Sequence, residues 1–501
     1  MAGGGLAVDP GSEVSRTPSA GGVGSPPRPP LGMTLGGVRA YTDGTLRTLT
    51  STPPPMSRIL LALALLLSPK LLPDLASPLA AQELGDREAD IVDAVADNQD
   101  EAVALLRETV NVNSGTLNAE GQRAVYDIMA PYFEALGFTV DYVQPAVAQR
   151  GGHLVARRRG GQGKHLLLIG HMDTVFEEDS PFQAWEMVND SVARGPGVAD
   201  MKGGNVVIWS ALEALHAEGA LDDTSITVVL TGDEERPGRP LDEARRALVD
   251  AGIEADIALG FEGGTPGLGV VARRSSSSWR IDVSATTAHS SGVFRDGVGA
   301  GAVYEAGRIL EDFYSEIRGE ENLTFNAATL VAGTEASWDD ETARGTAFGK
   351  TNVVPPTAVL TGDIRTLTNE QLERTREKMR AIVSRSLPGT ESTITFTDGY
   401  PSMPPTDGNY ELLEMLSQVS QAVGTGPVEP FDPGRRGAAD ISFVADHIEA
   451  GLDGLGPDGG GSHTVEETVN LRSLERAAKR AAVLIHRLTR SGAAISQDPP
   501  V

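Results

Sequence analysis

Cysteine is absent from this sequence of 501 residues. Its absence excludes disulfide-stapled folds, zinc sites built from thiolates, iron–sulfur clusters and enzymes that use a thiol nucleophile. Any metal ion bound by this chain must therefore be held by histidine and carboxylate side chains.

Basic residues are scarce, with 42 Lys and Arg against 69 Asp and Glu, which gives a formal net charge of −27. Proteins that bind nucleic acids carry a basic surface for the phosphates, so this balance argues against a nucleic-acid partner. Clustered acidic residues favour metal cations instead. Beyond the N-terminal region, no apolar run approaches the roughly 20 residues of a membrane-spanning helix. We therefore expect no membrane span in the mature chain.

The first 81 residues differ in composition from the rest. Residues 1–55 contain proline-rich and glycine-rich stretches without apolar periodicity, which predicts a disordered extension that is cleaved or misassigned. Residues 56–81 begin with a short basic segment, continue with nine apolar residues at 59–67 and end in Ala80 and Ala81. This order is typical of a secretory signal peptide that starts at Met56. We expect an exported protein, periplasmic or extracellular, that begins near Gln82.

From residue 83 onward the pattern is that of a folded α/β protein. Helical spacing alternates with short apolar runs, and such alternation predicts a sheet with helices on both faces. The runs predict buried strands at residues 166–169, 226–230 and 257–259 and an edge strand at 154–156. The predicted catalytic domain is discontinuous and comprises residues 83–272 and 401–492.

Residues 273–400 predict a domain inserted into the catalytic one. Their strand and helix patterns follow the order β-α-β-β-α-β, which is that of the ferredoxin-like unit. Four consecutive serines at residues 275–278 predict a flexible hinge at the start of this insert.

Polar motifs follow the predicted strands of the catalytic domain at their carboxyl ends. In open α/β sheets these ends line the ligand crevice, so one histidine and at least three carboxylates should meet there. Like charges brought together are costly unless a cation neutralises them, and mixed nitrogen and oxygen donors favour a pair of zinc ions. The segments are Gly170-His171-Met172-Asp173, Asp200-Met201-Lys202-Gly203-Gly204, Asp233-Glu234-Glu235 and Gly260-Phe261-Glu262.

These segments resemble the co-catalytic zinc metallopeptidases of the glutamate carboxypeptidase, aminoacylase and acetylornithine deacetylase superfamily, with glutamate carboxypeptidase the most similar. The resemblance extends from residue 83 to the last predicted helix and includes the late segment Gly459-Gly460-Gly461-Ser462-His463. It implies an α/β fold: a zinc-peptidase-like catalytic domain with a mixed central sheet, and an inserted ferredoxin-like α+β domain that serves as lid and dimerisation domain.

The resemblance also implies a set of metal ligands. His171 and Glu262 would bind one zinc ion, Glu235 and His463 would bind the other, and Asp200 would bridge both. The cofactor implied is thus two Zn²⁺ per chain, and other divalent metals such as Co²⁺ also fit this donor set.

Further roles follow from the same resemblance. Asp173 would orient His171 without itself binding the metal, and Glu234 would act as the general base on a water activated by the two zinc ions. A cis peptide bond is implied between Asp200 and Met201. Asp233 is left without a role, and we expect it to cap a helix or to face solvent.

The inserted domain would contribute to substrate binding. By resemblance, His289 would stabilise the oxyanion in the active site of a partner subunit within a homodimer, and Asn352 and Arg365 would contact the substrate on its carboxylate side. In the segment Gly434-Arg435-Arg436-Gly437, the spacing departs from the glutamate carboxypeptidase pattern. A guanidinium suits a free carboxylate, so either Arg435 or Arg436 could bind it, and the spacing does not decide which.

Three functions remain open at this stage. The first is a metallocarboxypeptidase that cleaves an amide bond next to a free carboxylate in a small peptide. The second is an N-acyl amino-acid deacylase, which uses the same metals and base. The third is a catalytically inactive metal-binding and dimerisation protein, which the presence of Glu234 and His289 disfavours.

Overall fold

The structure is a computed structural model that describes residues 83–340 and 342–490. The extension predicted at residues 1–55 and the signal peptide predicted at 56–81 lie outside the described residues. The α-helices are α1 (Asp86–Asp97), α2 (Gln99–Val110), α3 (Ala119–Ala135), α4 (Lys202–Ala217), α5 (Leu241–Glu254), α6 (Ala302–Glu316), α7 (Asn369–Val383), α8 (Asp407–Ala422) and α9 (Leu471–Leu488). Among the described residues, no helix combines the length and apolar character needed to cross a membrane.

Strands alternate with these helices along the chain. They are β1 (Thr139–Val143), β2 (His153–Arg158), β3 (Gln162–His171), β4 (Glu186–Asn189), β5 (Val192–Arg194), β6 (Thr224–Thr231), β7 (Ile257–Gly260), β8 (Leu268–Gly269), β9 (Ser277–Ala285), β10 (Thr324–Gly333), β11 (Glu335–Asp339), β12 (Arg344–Phe348), β13 (Thr357–Arg365), β14 (Thr390–Thr397), β15 (Glu429–Pro430), β16 (Ala450–Leu452), β17 (Gly459–Gly460) and β18 (Thr468–Asn470). Short 3₁₀ helices occur at Ser290–Gly292, Pro433–Arg435 and Asp440–Phe443.

A six-stranded mixed sheet forms the centre of the catalytic domain, in the order β1-β2-β6-β3-β7-β16. β6, β3, β7 and β16 run parallel, whereas β2 pairs antiparallel with both β1 and β6. The apolar runs of β3, β6 and β7 are buried, because helices cover both faces of the sheet. His171 at the end of β3 pairs with Thr231 at the end of β6, so the segments after these strands leave the sheet at one edge.

Helix α4 lies in the middle of one helical layer. It packs against α1, α2, α9 and β3, and it is buried along most of its length. A Cβ atom on Gly204 would lie 2.0 Å from the carbonyl oxygen of Phe261, so only glycine allows the first turn of α4 to approach the end of β7 this closely. This contact brings Asp200, just before α4, towards Glu262, just after β7.

The insert is a separate four-stranded antiparallel sheet in the order β10-β13-β9-β14, with α6 and α7 packed against it. Its hydrophobic core includes Trp279, Ile281, Phe313, Leu360 and Met379. A hairpin of β11 and β12, which the sequence pattern did not predict, extends the connection between β10 and β13. This module and the mixed central sheet confirm the predicted fold class.

Two local predictions are wrong. The strand that begins at His153 is not at an edge, because β1 covers it on the side away from β6. The serines at the start of the insert do not form an exposed, flexible loop, since Ser275 and Ser277 are buried. The Ser275 hydroxyl lies 2.8 Å from that of Thr366, and Ser277 is the first residue of β9.

Candidate metal centre

His171 is the innermost residue of the predicted site. Its side chain is buried, and its Nδ1 lies 3.0 Å from the carbonyl oxygen of Asp173. Its Nε2 is buried without a hydrogen-bond partner and faces Asp200 Oδ1 at 3.4 Å and Glu262 Oε1 at 3.7 Å. A buried polar atom without a partner is costly, so this nitrogen is suited to a metal ion.

His463 approaches the same aspartate from the other side. It belongs to the loop between β17 and β18, and its Nε2 lies 3.2 Å from Asp200 Oδ2 and 3.1 Å from Glu235 Oε2. Its φ of 64° lies in the left-handed region, which residues other than glycine seldom adopt. Such strain concentrates at functional sites, where surrounding structure maintains it.

The two oxygens of Asp200 therefore face different histidines. Two ligand atoms that are each about 2 Å from a tetrahedral zinc ion lie roughly 3.3 Å from one another. Asp200 lies 3.4 Å from His171 and 3.2 Å from His463, and His463 lies 3.1 Å from Glu235, so these separations match that spacing. Ligand atoms of His171, Asp200 and Glu235 all lie within 4.8 Å of one another. The donor set thus fits two metal ions on either side of a shared carboxylate.

The carboxylates of the site favour added positive charge. Hydrogen bonds to Asp200 and Glu235 raise the pKa of His463 to about 11. Burial acts to lower the pKa of His171, but the carboxylates of Asp173 and Asp200, which face its two ring nitrogens at 3.3 and 3.4 Å, raise it well above its ordinary value. Burial, reinforced by the charge of Asp200, raises the pKa of Glu262 to about 8. Divalent cations bound here would likewise stabilise the negative charge of these carboxylates.

Asp173 organises several parts of the site at once. Its carboxylate oxygens accept hydrogen bonds from the backbone N–H groups of Glu234 at 3.0 Å and Glu235 at 3.1 Å. The Thr116 hydroxyl donates to it at 2.6 Å, a partner that the sequence did not predict. One buried carboxylate thus holds the turn that bears the two glutamates, and its Oδ1 also lies 3.3 Å from Nδ1 of His171.

Comparison with known proteins identifies the family. Residues 167–487 match the model for peptidase family M20/M25/M40. The chain belongs to this family. The predicted family resemblance and the predicted assignment as a metallopeptidase enzyme are therefore confirmed.

Sequence relatives within the M20 family cover most of the chain. Carboxypeptidase G2 from Pseudomonas sp. (strain RS-16) is 28% identical over 395 residues, which cover 78% of this chain and 90% of that protein. Succinyl-diaminopimelate desuccinylase from Cupriavidus necator is 26% identical over 389 residues, which cover 74% of this chain and 95% of that protein.

Solved structures share the M20 fold with this chain. Aminopeptidase PepT from Bacillus cereus ATCC 10987 gives a TM-score of 0.63 at 19% identity, covering 78% of this chain and 98% of that one. An M20 family metallo-carboxypeptidase from Sulfolobus solfataricus gives a TM-score of 0.55 at 14% identity, covering 77% of this chain and 98% of that one.

A cis peptide bond and a buried carboxylate near the M20 site bear on the sequence predictions. The peptide bond between Asp200 and Met201 is cis, as predicted. Asp233 neither caps a helix nor faces solvent: it is buried and accepts a hydrogen bond from Arg245 at 2.5 Å. Arg245 also donates to Asp440 at 2.8 Å. The prediction for Asp233 is therefore wrong, because charge patterns in the sequence do not reveal that Arg245 is buried between Asp233 and the distant Asp440.

A cavity of about 330 Å³ opens over the proposed ligands. Glu234 lies in its wall beside Asp200, Glu235, Glu262 and His463. Burial, together with nearby acidic groups, raises the pKa of Glu234 well above its ordinary value. A carboxylate with a raised pKa beside a ligand cavity is the arrangement expected of a general base.

The structure separates the two neighbouring arginines. Arg436 lines the cavity and donates to the carbonyl oxygen of Gly263 at 2.8 Å, and its Nε is buried without a partner. Arg435 is exposed and lies outside the cavity wall, over the ring of Phe431. Arg273, which the sequence did not predict, also lines the cavity and is held by Asp453 at 2.8 Å.

The predicted residues of the insert are placed differently. His289 and Asn352 are exposed, and the His289 Nδ1 lies 2.9 Å from the Ser291 hydroxyl. Arg365 is half-buried and bonded to Asp363 at 3.0 Å, although a Cβ atom on Gly437 would lie only 3.8 Å from its Nη1. Among the described residues, none of these three predicted side chains lines the cavity of its own chain.

Glu467 supports the bridging aspartate and was also not predicted. It is buried, and its Oε1 accepts from the backbone N–H groups of Ala199 at 2.9 Å and Asp200 at 3.0 Å. Its Oε2 accepts from Gly197 at 3.1 Å. The sequence showed an adjacent pair of acidic residues after His463, but it did not show which of the two side chains is buried.

Proposed function

We propose that this chain is a di-zinc hydrolase of the carboxypeptidase type, which cleaves an amide bond next to a free carboxylate. The proposal depends above all on Asp200, whose two oxygens face His171 and His463 in the wall of a cavity that also contains Glu234. The relatives named carboxypeptidase G2 and metallo-carboxypeptidase support the same class of reaction.

Five side chains would hold the metal ions. His171 and Glu262 form one group and Glu235 and His463 the other, with Asp200 between them. Nitrogen and oxygen donors at these spacings favour Zn²⁺, and Co²⁺ suits the same donors. The ions supply Lewis-acid chemistry, which acidifies water and polarises a carbonyl group.

Glu234 would accept the proton of the attacking water and later pass it to the leaving amine. Its backbone N–H is bonded to Asp173, so its carboxylate is directed from a fixed turn. Burial raises its pKa above the ordinary value of a carboxyl group, which favours its return of the proton to the leaving amine.

Arg436 would bind the free carboxylate of the substrate. Its guanidinium lies in the cavity wall, where burial and the nearby charge of Arg273 lower its pKa, and Glu262 and Asp200 partly oppose that shift. A guanidinium can form paired charge-assisted hydrogen bonds with a carboxylate, and Nε of the half-buried Arg436 has no partner within the protein. Arg365 of the insert would assist, since its Nη1 lies 3.8 Å from the Cβ position of Gly437 in the cavity wall.

A test would measure amine release from peptides and N-acyl amino acids that differ only in a free or an amidated terminal carboxylate. We expect hydrolysis of the free acids, and Glu234→Gln should lower kcat by roughly 10²–10⁴-fold without loss of zinc. Equal turnover of the amidated compounds would refute the carboxylate requirement.

Deacylation of N-acyl amino acids is the second candidate, favoured by relatives named succinyl-diaminopimelate desuccinylase. The same panel separates the two, since a deacylase would prefer the N-acyl amino acids to the peptides.

A homodimer would complete the active site. His289 is exposed, and five positions later Phe294, 66% exposed, pairs with Tyr304, 60% exposed, their rings 5.4 Å apart. Exposed aromatic pairs are common at interfaces, so a second copy packed here would receive His289 as an oxyanion donor. Mixing the inactive variants His289→Ala and Glu234→Gln should restore activity in mixed dimers. No recovery after verified subunit exchange would refute this arrangement.

Export is the last part of the proposal. The basic segment, apolar run and Ala80-Ala81 boundary support a signal peptide at residues 56–81. N-terminal sequencing of the expressed protein should find a start near Gln82, whereas an intact Met1 would exclude export by this route.

A further inference from the structure

The turn that bears the proposed general base is restrained by hydrogen bonds to several of its backbone groups. The N–H of Gly232 donates to His153 Nδ1 at 3.1 Å, and those of Glu234 and Glu235 donate to Asp173. The carbonyl oxygen of Glu234 accepts a hydrogen bond from the hydroxyl of Tyr400 at 2.5 Å. Of these partners, only Tyr400 belongs to the junction with the inserted domain.

Tyr400 follows β14, the last strand of the insert. Its carbonyl oxygen accepts from the backbone N–H of Ser276 at 2.9 Å, and Arg273 and Met403 exchange two backbone hydrogen bonds at 2.8 and 2.9 Å. The segments by which the chain enters and leaves the insert are therefore paired as a short ladder. Displacement of one segment would displace the other, and Tyr400 with them.

The side chain of Tyr400 is also anchored within the catalytic domain. Its hydroxyl accepts from Arg245 Nη2 at 2.8 Å, and its ring lies 4.9 Å from that of Phe443. Arg245 is itself buried between Asp233 and Asp440. The hydroxyl can thus accept from Arg245 and donate its single proton to Glu234.

We propose that Tyr400 is a positioning residue that couples the inserted domain to the general base Glu234. The hydroxyl would hold the peptide group of Glu234, and so direct its carboxylate, in a way that depends on the position of the junction. The inference rests on the proposed function in taking Glu234 as the base. It adds a residue and a connection between the two domains of the chain.

The test uses Tyr400→Phe, which keeps the aromatic packing and removes only the hydroxyl. Tyr410→Phe is the matched control, because Tyr410 is 47% exposed and lies on α8. In Tyr400→Phe we expect kcat to fall by about 10- to 100-fold, the cost of misplacing a reacting group, with KM and zinc content close to wild type. The control should match wild type in all three measurements.

A double variant distinguishes positioning from general destabilisation. If Tyr400 acts through Glu234, adding Tyr400→Phe to Glu234→Gln should change kcat by no more than about twofold. If the two substitutions acted independently, their fold reductions in kcat would multiply in the double variant. Full multiplication of the two losses, or an unchanged kcat in Tyr400→Phe alone, would overturn the proposal.

Hydrogen exchange provides a measurement that does not depend on activity. In Tyr400→Phe, the peptide containing residues 232–236 should exchange about fivefold faster, as expected for loss of one hydrogen bond, while α9 exchanges as in wild type. Unchanged exchange in that peptide would refute the positioning role. An active Glu234→Gln variant would refute the proposed base, and the exchange result would still decide whether Tyr400 restrains the turn.

Discussion

Substitution of Glu467 by glutamine is the sharpest test of how the protein holds its bridging aspartate. The wild-type carboxylate accepts three backbone hydrogen bonds, two at Oε1 from Ala199 and Asp200 and one at Oε2 from Gly197. Glutamine has the same shape but offers only one acceptor oxygen. In either orientation of the amide, an –NH₂ group would face at least one backbone N–H.

The structure sets the size of the expected effect. Glu467 is 1% exposed, so water cannot replace a lost partner. Leaving a buried donor unsatisfied costs about 1–3 kcal/mol. Burial raises the pKa of Glu467 to about 7, so the wild-type carboxylate already bears a desolvation cost that glutamine avoids. We therefore expect the free energy of unfolding to fall by about 2 kcal/mol, in the middle of that range.

A second consequence concerns the metal site. Asp200 N–H is one of the three donors, so the variant should shift the carboxylate that both metal ions would share. Loss of a residue that orients a ligand typically lowers metal affinity by about 10- to 100-fold. Glu467→Gln should show a reduction of that order for zinc.

The assay separates the two effects. Urea unfolding of chelator-treated protein, followed by both fluorescence and circular dichroism, measures stability without metal, and coincident transitions check two-state behaviour. Zinc titration of the folded protein then measures affinity. Glu466→Gln is the control, because its side chain is exposed next to Glu467. If both variants unfold and bind zinc as wild type does, Glu467 does not hold the Asp200 loop.

Three further outcomes are expected. Arg436→Ala should raise KM for substrates with a free carboxylate by about 10- to 100-fold, because a charge-assisted hydrogen bond is lost. Arg435→Ala should leave KM near the wild-type value. Equal effects of the two substitutions on KM would show that Arg436 is not the specific carboxylate-binding residue. His463→Ala should retain one zinc ion fewer per chain by elemental analysis, and full occupancy would contradict its role as a ligand. Burial lowers the pKa of His153 from 6.5, so protons bind more readily to the unfolded chain, and stability should decline as pH falls below about 6.5. In His153→Gln, the free energy of unfolding measured with urea should decline less between pH 7 and 5 than in wild type. An identical decline would show that His153 is not the source of the pH dependence.

The hydrophobic pattern was sufficient to predict most of the framework. Strands β3, β6 and β7 are continuous apolar runs because both of their faces are covered, and such runs are conspicuous in a sequence. Strand β1 was missed because its residues are half-buried or exposed and bear no such run. The edge position was assigned to the wrong strand for the same reason.

Which side chains share the site was also largely predictable. The polar segments follow the ends of parallel strands, and topology alone brings such ends together. His171, Asp200, Glu235, Glu262 and His463 do lie around one point in the structure. Residue type then limits the chemistry, because a chain without cysteine offers a metal ion mainly imidazole and carboxylate.

The sequence by itself therefore determined the architecture, the family resemblance and the kind of metal site that the chain can build. Only the tertiary structure decided that Arg436 rather than Arg435 lines the cavity, that Asp233 is buried, and that Glu467 supports Asp200. The contacts of Arg436 and Glu467 join segments far apart in the chain: Arg436 and Gly263 are 173 positions apart, and Glu467 and Asp200 are 267 positions apart. Periodicity reports which face of an element is buried, but the partner of a buried charge is set by how distant elements pack.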